Sequence, residues 1–219
     1  MDAEELRLAV YRAFAATGRA PGHAALAARL GATEAEVRAG LRRLAGARHL
    51  ALGPDDTIVM AHPFSAVPLG FSVMAGDTLW FGGCAWDSFA LPHLVPGADP
   101  ALVATTCPAC GRAHAWTVTR QAPPEGGQVA HFLVPAARMW EDVVHTCAHQ
   151  RLFCSTDCVD AWLAATGNPR GSVLDLGTLW RLAAHWYEGR LGSPYTRREP
   201  AAAAEYLRSV GLSGAFWGL

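Results

Sequence analysis

Apolar residues Leu6, Val10, Tyr11 and Phe14 recur at helical spacing and Gly18 follows as a stop, so the chain is predicted to open with an amphipathic helix. A second short pattern, Ala24 to Leu30, ends at Gly31. Thr33 then precedes Glu34 and Glu36, which supplies a third helix with an N-cap and an acidic first turn. Val37, Leu41 and Leu44 give that helix one apolar face. Leu50-Ala51-Leu52, a turn at Pro54-Asp55-Asp56 and Ile58-Val59-Met60 follow. Helix, glycine turn, helix and hairpin, in that order, predict a winged helix-turn-helix-like unit over residues 1–62. Arg38, Arg42 and Arg43 would face solvent from its third helix, either as a DNA-reading surface or as the solvated side of a packing unit.

Ala61 to Val73 carries Pro63 and Pro68 and reads as a linker that becomes an extended strand, opening a second unit over 63–219. From Thr78 the chain is aromatic and apolar through Phe89. Val159 to Ala165 looks helical and stops at Gly167-Asn168-Pro169. Leu174 to Tyr187 has a broad apolar face built from Leu176, Leu179, Trp180, Leu182, Ala183 and Trp186, which reads as core. After a turn-rich Gly189–Pro194, a last helix is expected over Ala201–Val210, with Phe216-Trp217 docking the C-terminus. The mixture predicts an α+β chain, a winged-helix-like region followed by a small mixed α/β domain.

Composition narrows the function. The 219 residues are 51% hydrophobic and 17% charged, enough for a filled core. With 18 basic and 19 acidic residues the net charge is -1, which lacks the basic footprint of phosphate binding and favours the packing reading of the three arginines over DNA binding. The start Met-Asp-Ala-Glu-Glu-Leu has no apolar leader and no apolar stretch is long enough to span a bilayer, so a cytoplasmic protein without a membrane partner is expected. In a reducing compartment six cysteines indicate metal binding or catalysis rather than disulfides.

Those cysteines all lie between positions 84 and 158. Cys107-Pro108-Ala109-Cys110-Gly111 has the spacing and trailing glycine of a zinc knuckle, and Cys154 and Cys158 supply a second pair at the start of a helix. Together they predict a closed four-thiolate site for a structural Zn(II). The knuckle runs into an extended segment, Ala113 onward, whereas a redox CxxC would open a helix. His145 and His149 could replace a cysteine in the shell, and Cys147 could compete for it. Otherwise Cys84 and Cys147 are left over, with Asp87 three residues after Cys84 and on the same face of a helical turn. Two thiols and an acid are what a soft-metal substrate would need; equally, Cys84 is of a type often buried and Asp87 could cap a helix.

At these residues the chain resembles the alkylmercury lyase, or organomercurial lyase, family. The resemblance rests on Cys84-Ala85-Trp86-Asp87 with Pro92 downstream, on Cys107 at a strand-like segment, and on Asp142–His149 leading to Phe153, Ser155 and Trp162. It runs from about Leu6 to Trp162, including the small helical region. It implies that Cys84 and Cys147 are the catalytic thiols, Asp87 the catalytic carboxylate and Cys107 a structural cysteine. Cys110, Cys154 and Cys158 depart from the family pattern, and an alternative alignment gives Cys154 the second thiol role. The implied chemistry is protonolysis: thiolates capture the soft metal of an organometal or other thiophilic substrate, an acid protonates the attached carbon, small thiols extract the product, and no organic cofactor takes part. The competing reading is a non-catalytic metal-binding or metal-sensing protein that uses the helix-turn-helix region.

Overall fold

The structure is a computed structural model describing residues 1–219. Three helices open it. α1 (Ala3–Thr17) is capped by the Asp2 side chain and closed by Gly18 in the left-handed region, α2 (His23–Leu30) ends at Gly31, and α3 (Glu34–Gly46) starts with the expected Thr33 cap. Thr33 and Glu36 exchange hydrogen bonds as a full capping box. Leu6, Val10 and Phe14 of α1 and Val37, Leu41 and Leu44 of α3 are buried, as their spacing predicts. Arg42 and Arg43 are exposed, but Arg42 donates twice to Asp56 at 2.7 Å and Arg38 bonds the Asp55 carbonyl. Two of the three cations are thus satisfied by the turn facing them.

β1 (Ala51–Leu52) and β2 (Ile58–Ala61) form the expected hairpin. The segment after it is not a linker. β3 (Phe64–Ser65) pairs with both β2 and β5 (Thr78–Gly82), and Ala61 through Ser65 are all buried. The reason is Phe64, fully buried and stacked on Phe14 with ring centroids 5.4 Å apart. β4 (Phe71–Ala75), β6 (Ala101–Thr106) and β7 (Ala113–Val118) complete a seven-stranded antiparallel sheet in the order β1-β2-β3-β5-β4-β6-β7. The expected boundary at 62/63 therefore lies inside this sheet. α1 also seals the join: Trp80 Nε1–H donates to the Phe14 carbonyl at 2.9 Å, and Gly18, at φ 70°, sits where a Cβ would be 1.9 Å from the Leu79 oxygen.

A second antiparallel sheet has the order β10-β8-β9, from β8 (Val129–Phe132), β9 (Gln150–Phe153) and β10 (Ser172–Asp175). Of the apolar stretch Leu174–Tyr187, Leu174 is in β10, and α7 (Leu176–Ala184) starts only after the Asp175 cap. α4 (Ala85–Leu94) packs against β4, β5 and β6 of the large sheet, β9 of the small one, and α7. Residues 85–92 are buried on every side, which suits a helix apolar all round. α5 (Val143–Ala148) and α6 (Thr156–Thr166) flank β9, and α8 (Pro200–Ser209) is the expected last helix, with Trp217 docked beyond it. Eight helices and two antiparallel sheets make the α+β class.

Candidate active site

Cys84 is the N-cap of α4, and its Sγ accepts the Asp87 backbone N–H at 3.4 Å. The capping roles are the reverse of the simplest expectation, because the thiol takes the cap and leaves the carboxyl free. Asp87 turns inward and is 1% exposed. Gly83 makes room for it, since a Cβ there would lie 2.4 Å from Asp87 Oδ2. Cys147 arrives from α5, which begins on an Asp142 cap, and its Sγ lies 3.9 Å from Asp87 Oδ2. Cys84 is near enough to both Cys147 and Asp87 to shift their protonation, and the one direct hydrogen bond at its sulfur is from the Asp87 backbone N–H. The fold thus brings together Cys84, Asp87 and Cys147, from two elements 60 residues apart.

Three further groups complete the site and were not singled out from sequence. Tyr187 O–H donates to Asp87 Oδ1 at 2.5 Å. His62 Nε2 lies 3.4 Å from Cys147 Sγ, with its Nδ1 buried and unpartnered. Arg190 is buried, stacks 4.7 Å over the Tyr187 ring and donates to the His62 carbonyl at 2.7 Å. His62 was hidden in the supposed linker. Tyr187 continues the spacing of Leu179 and Ala183, a signal that reads as core.

Burial sets the protonation of the group. It raises Asp87 from 3.8 to about 7, against the opposing Tyr187 hydrogen bond and Cys84 thiol. Burial drives Cys84 well above the usual thiol range. For Cys147 the neighbouring Cys84 thiol pulls downward, but burial and the nearby Asp87 charge leave it raised. Burial, then Arg190, pushes His62 down to about 3, and burial keeps Tyr187 protonated. Near neutral pH the site therefore holds two protonated thiols, a neutral imidazole and a carboxyl between its two states. Such a carboxyl can both take and give a proton. His62, Asp87 and Cys147 also offer donor atoms within 4.8 Å of one another, a geometry open to a metal ion.

These groups form the floor of a cavity of about 820 Å³, walled by Trp140, Trp186 and Trp217. Its size exceeds by far the ~30 Å³ share of one water.

The other four cysteines meet elsewhere. Cys107 directly follows β6, where its N–H donates to the Arg112 carbonyl at 2.8 Å and its carbonyl accepts from Gly111 N–H at 2.9 Å, closing the knuckle. Cys154 follows β9 and Cys158 lies in the first turn of α6, opened by the Ser155 cap. All four sulfurs lie within 4.8 Å of one another, with Cys110 and Cys154 3.4 Å apart. Tetrahedral Zn–S bonds of ~2.3 Å separate sulfurs by about 3.8 Å, so the set fits one such cation. Burial pushes Cys107 up, but backbone amides from Cys154, Cys110 and Ala109 bring it down to about 7. His145 and His149 do not join this shell; they stack on each other at 4.1 Å. The imidazole that does approach is His114, with Nε2 3.3 Å from Cys154 Sγ.

The family model for alkylmercury lyase (MerB) matches residues 64–188, more than half of the chain. The chain belongs to the alkylmercury lyase family. Both cysteine groups, Asp87 and Tyr187 lie inside the matched stretch of this lyase family member, whereas His62 and Arg190 lie just outside it. The crystal structure of the mercury-bound form of MerB2 is similar over 85% of this chain and 91% of that chain, with a TM-score of 0.63 and 18% identity. That likeness concerns the fold. No curated protein matches the chain. No helix of this family member is long and apolar enough to cross a membrane.

Proposed function

We propose that this protein cleaves the carbon–mercury bond of organomercurials by protonolysis, with Cys84 and Cys147 capturing the metal and Asp87 delivering the proton. The observation that carries the reading is a buried carboxyl tuned to about 7 beside two buried thiols at the floor of a roomy cavity. A substrate R–Hg–SR′ exchanges its thiolate for one cysteine, and the displaced carrier leaves as R′SH with that cysteine's proton. The second cysteine then bonds mercury and gives its proton to Asp87. Asp87 passes it to the carbon as the C–Hg bond breaks, so R–H departs and Hg(II) stays on two sulfurs. Small thiols free it by the same exchange. Soft sulfur favours every metal step, and the carboxyl's tuning favours the proton step. Tyr187, bonded to Oδ1, leaves Oδ2 on the Cys147 side to carry the travelling proton.

The test is hydrocarbon release from a simple organomercurial with a small thiol present. Wild type is expected to release R–H; Asp87→Asn is expected to bind mercury stoichiometrically and release almost none on the same timescale. Stoichiometric binding by wild type without hydrocarbon would overturn the lyase reading.

Cys107, Cys110, Cys154 and Cys158 are assigned here to a structural Zn(II), which would tie the β6–β7 turn to the start of α6. Metal analysis of protein purified under reduction should find about one zinc per chain, and its absence would remove the assignment. Residues 1–62 are read as a winged-helix-like unit used mainly for packing in a cytoplasmic enzyme, with the two thiols and the carboxyl on 63–219 and His62 added to the site from the end of the first unit. The ties from Arg38 and Arg42 to the 55–56 turn support that reading over DNA binding.

A further inference from the structure

The cavity above the cysteines is lined by four arginines, Arg48, Arg190, Arg197 and Arg198, and only two acids, Asp87 and Glu199. None of the four arginines is in an ion pair. Arg190, deep in the wall, is held by neutral oxygens of His62, Tyr195 and Tyr11. Arg197 is half-buried, stacks 5.0 Å over Trp140 and donates to the Ala47 carbonyl. Arg198 is exposed, stacks 4.6 Å over Tyr206 and donates to the His185 carbonyl. Stacking holds both guanidiniums in place while leaving further N–H donors unused. The N-terminus of α8 borders the same cavity through Glu199 and Pro200, and no side chain caps it. Its free amides add partial positive charge. The chain as a whole is near neutral, so this concentration of cations is local.

A positive cavity repels a free R–Hg⁺ cation and attracts a complex that carries negative charge away from the metal. Resting on the lyase reading, we propose that Arg48, Arg197 and Arg198 form a carboxylate-binding subsite that draws the organomercurial in by a carboxylate two or more bonds removed from mercury. The carboxylate can sit on the carrier thiol or on the organic group. Both present the same planar anion to guanidinium forks. With the carboxylate held at the outer wall, the mercury end reaches toward the buried sulfurs at the floor. On the carrier thiol, the same contact would place the departing R′SH beside the solvent-exposed rim.

The test compares matched pairs that differ only in the anion. One arm uses phenylmercury carried by 3-mercaptopropionate or by 2-mercaptoethanol. The other uses 4-carboxyphenylmercury or phenylmercury, both carried by 2-mercaptoethanol. Rates of mercury capture and of hydrocarbon release are both recorded. Capture is expected to be about tenfold more efficient with the carboxylate in at least one arm, and the arm that responds identifies the source. The ratio should collapse toward one in Arg197→Gln/Arg198→Gln. It should shrink in wild type at high salt, a measurement that does not depend on the variant folding. Equal capture of charged and neutral partners in both arms overturns the subsite, as does a ratio that survives both the variant and salt. Failure of hydrocarbon release with every complex instead overturns the lyase reading, while the capture ratio still reports on the subsite.

Discussion

Cys84 and Cys147 are 2% and 3% exposed, whereas in the other group of four Cys107 is 1% exposed, Cys154 and Cys158 are half-buried and Cys110 lies at the surface. The two deep thiols sit beside a carboxyl and an imidazole; the outer cysteines sit among one another and His114. In the deep group, burial keeps protons on sulfur and raises the carboxyl to meet them. In the outer group, amides hold Cys107 low while burial and the neighbouring sulfurs push Cys154 up to about 12, so that one thiolate forms at the expense of the others. A resident divalent cation would resolve that conflict by holding all four as thiolate ligands. On the proposed reading the same residue type serves transfer where a proton acceptor is built in beside it, and closure where its neighbours are more sulfur and one imidazole.

The largest effect expected from this contrast is on the proton step. Asp87→Asn should slow hydrocarbon release by about 10³-fold or more while leaving mercury capture intact, measured in single turnover. The substitution also has a pH signature in stability. Because Asp87 is raised from 3.8 to about 7, the folded state holds a proton that the unfolded chain gives up. Native stability from this group is full below the unfolded value and lost as pH rises to about 7. Asp87→Asn should therefore be more stable than wild type near pH 8, by up to ~4 kcal/mol, and no more stable near pH 4. Urea melts at the two pH values check this, and an equal difference at both would show that Asp87 is not held protonated. Next in size, Cys110→Ser or removal of metal by a chelator should lower the melting temperature by about 10 °C. If it instead stops catalysis in folded protein, the separation between the two groups is wrong. Smallest, Tyr187→Phe should slow hydrocarbon release about tenfold with capture unchanged, and should move the midpoint of its pH profile upward, since the lost hydrogen bond was holding Asp87 down.

Much of the fold was legible because its signals are local. The Thr33 cap, the glycine stops at Gly18 and Gly31, and the stripes through α1 and α3 need only neighbouring residues to be read. In the Ala61–Val73 stretch the later part becomes the expected strand, in β4, but the earlier part, which its prolines mark as a linker, is strand too, because Phe64's burial depends on Phe14, fifty residues earlier. At Leu174 an apolar run cannot by itself tell strand from helix; pairing with β8 decides it. In the candidate site, cysteine spacing and family resemblance reached Cys84, Asp87, Cys147 and the outer four. His62, Tyr187 and Arg190 escaped because each is an ordinary residue made special by a partner distant in sequence, His62 by Cys147, Tyr187 by Asp87 and Arg190 by the His62 carbonyl.

The unbroken sheet has a practical corollary for anyone trimming the gene to its recognisable part. Residues 64–188 carry the family signature, yet a fragment with those ends would begin on β3 with its β2 partner gone. It would lose α1, whose Phe14 and Tyr11 cover Phe64, and also His62 and Arg190. What remained would present a bare hydrogen-bonding edge and a stripped apolar face, the ingredients of an insoluble product. Homology here marks a shorter length of chain than the one that can fold, and expression boundaries belong near the physical ends of the sheet and its covering helices.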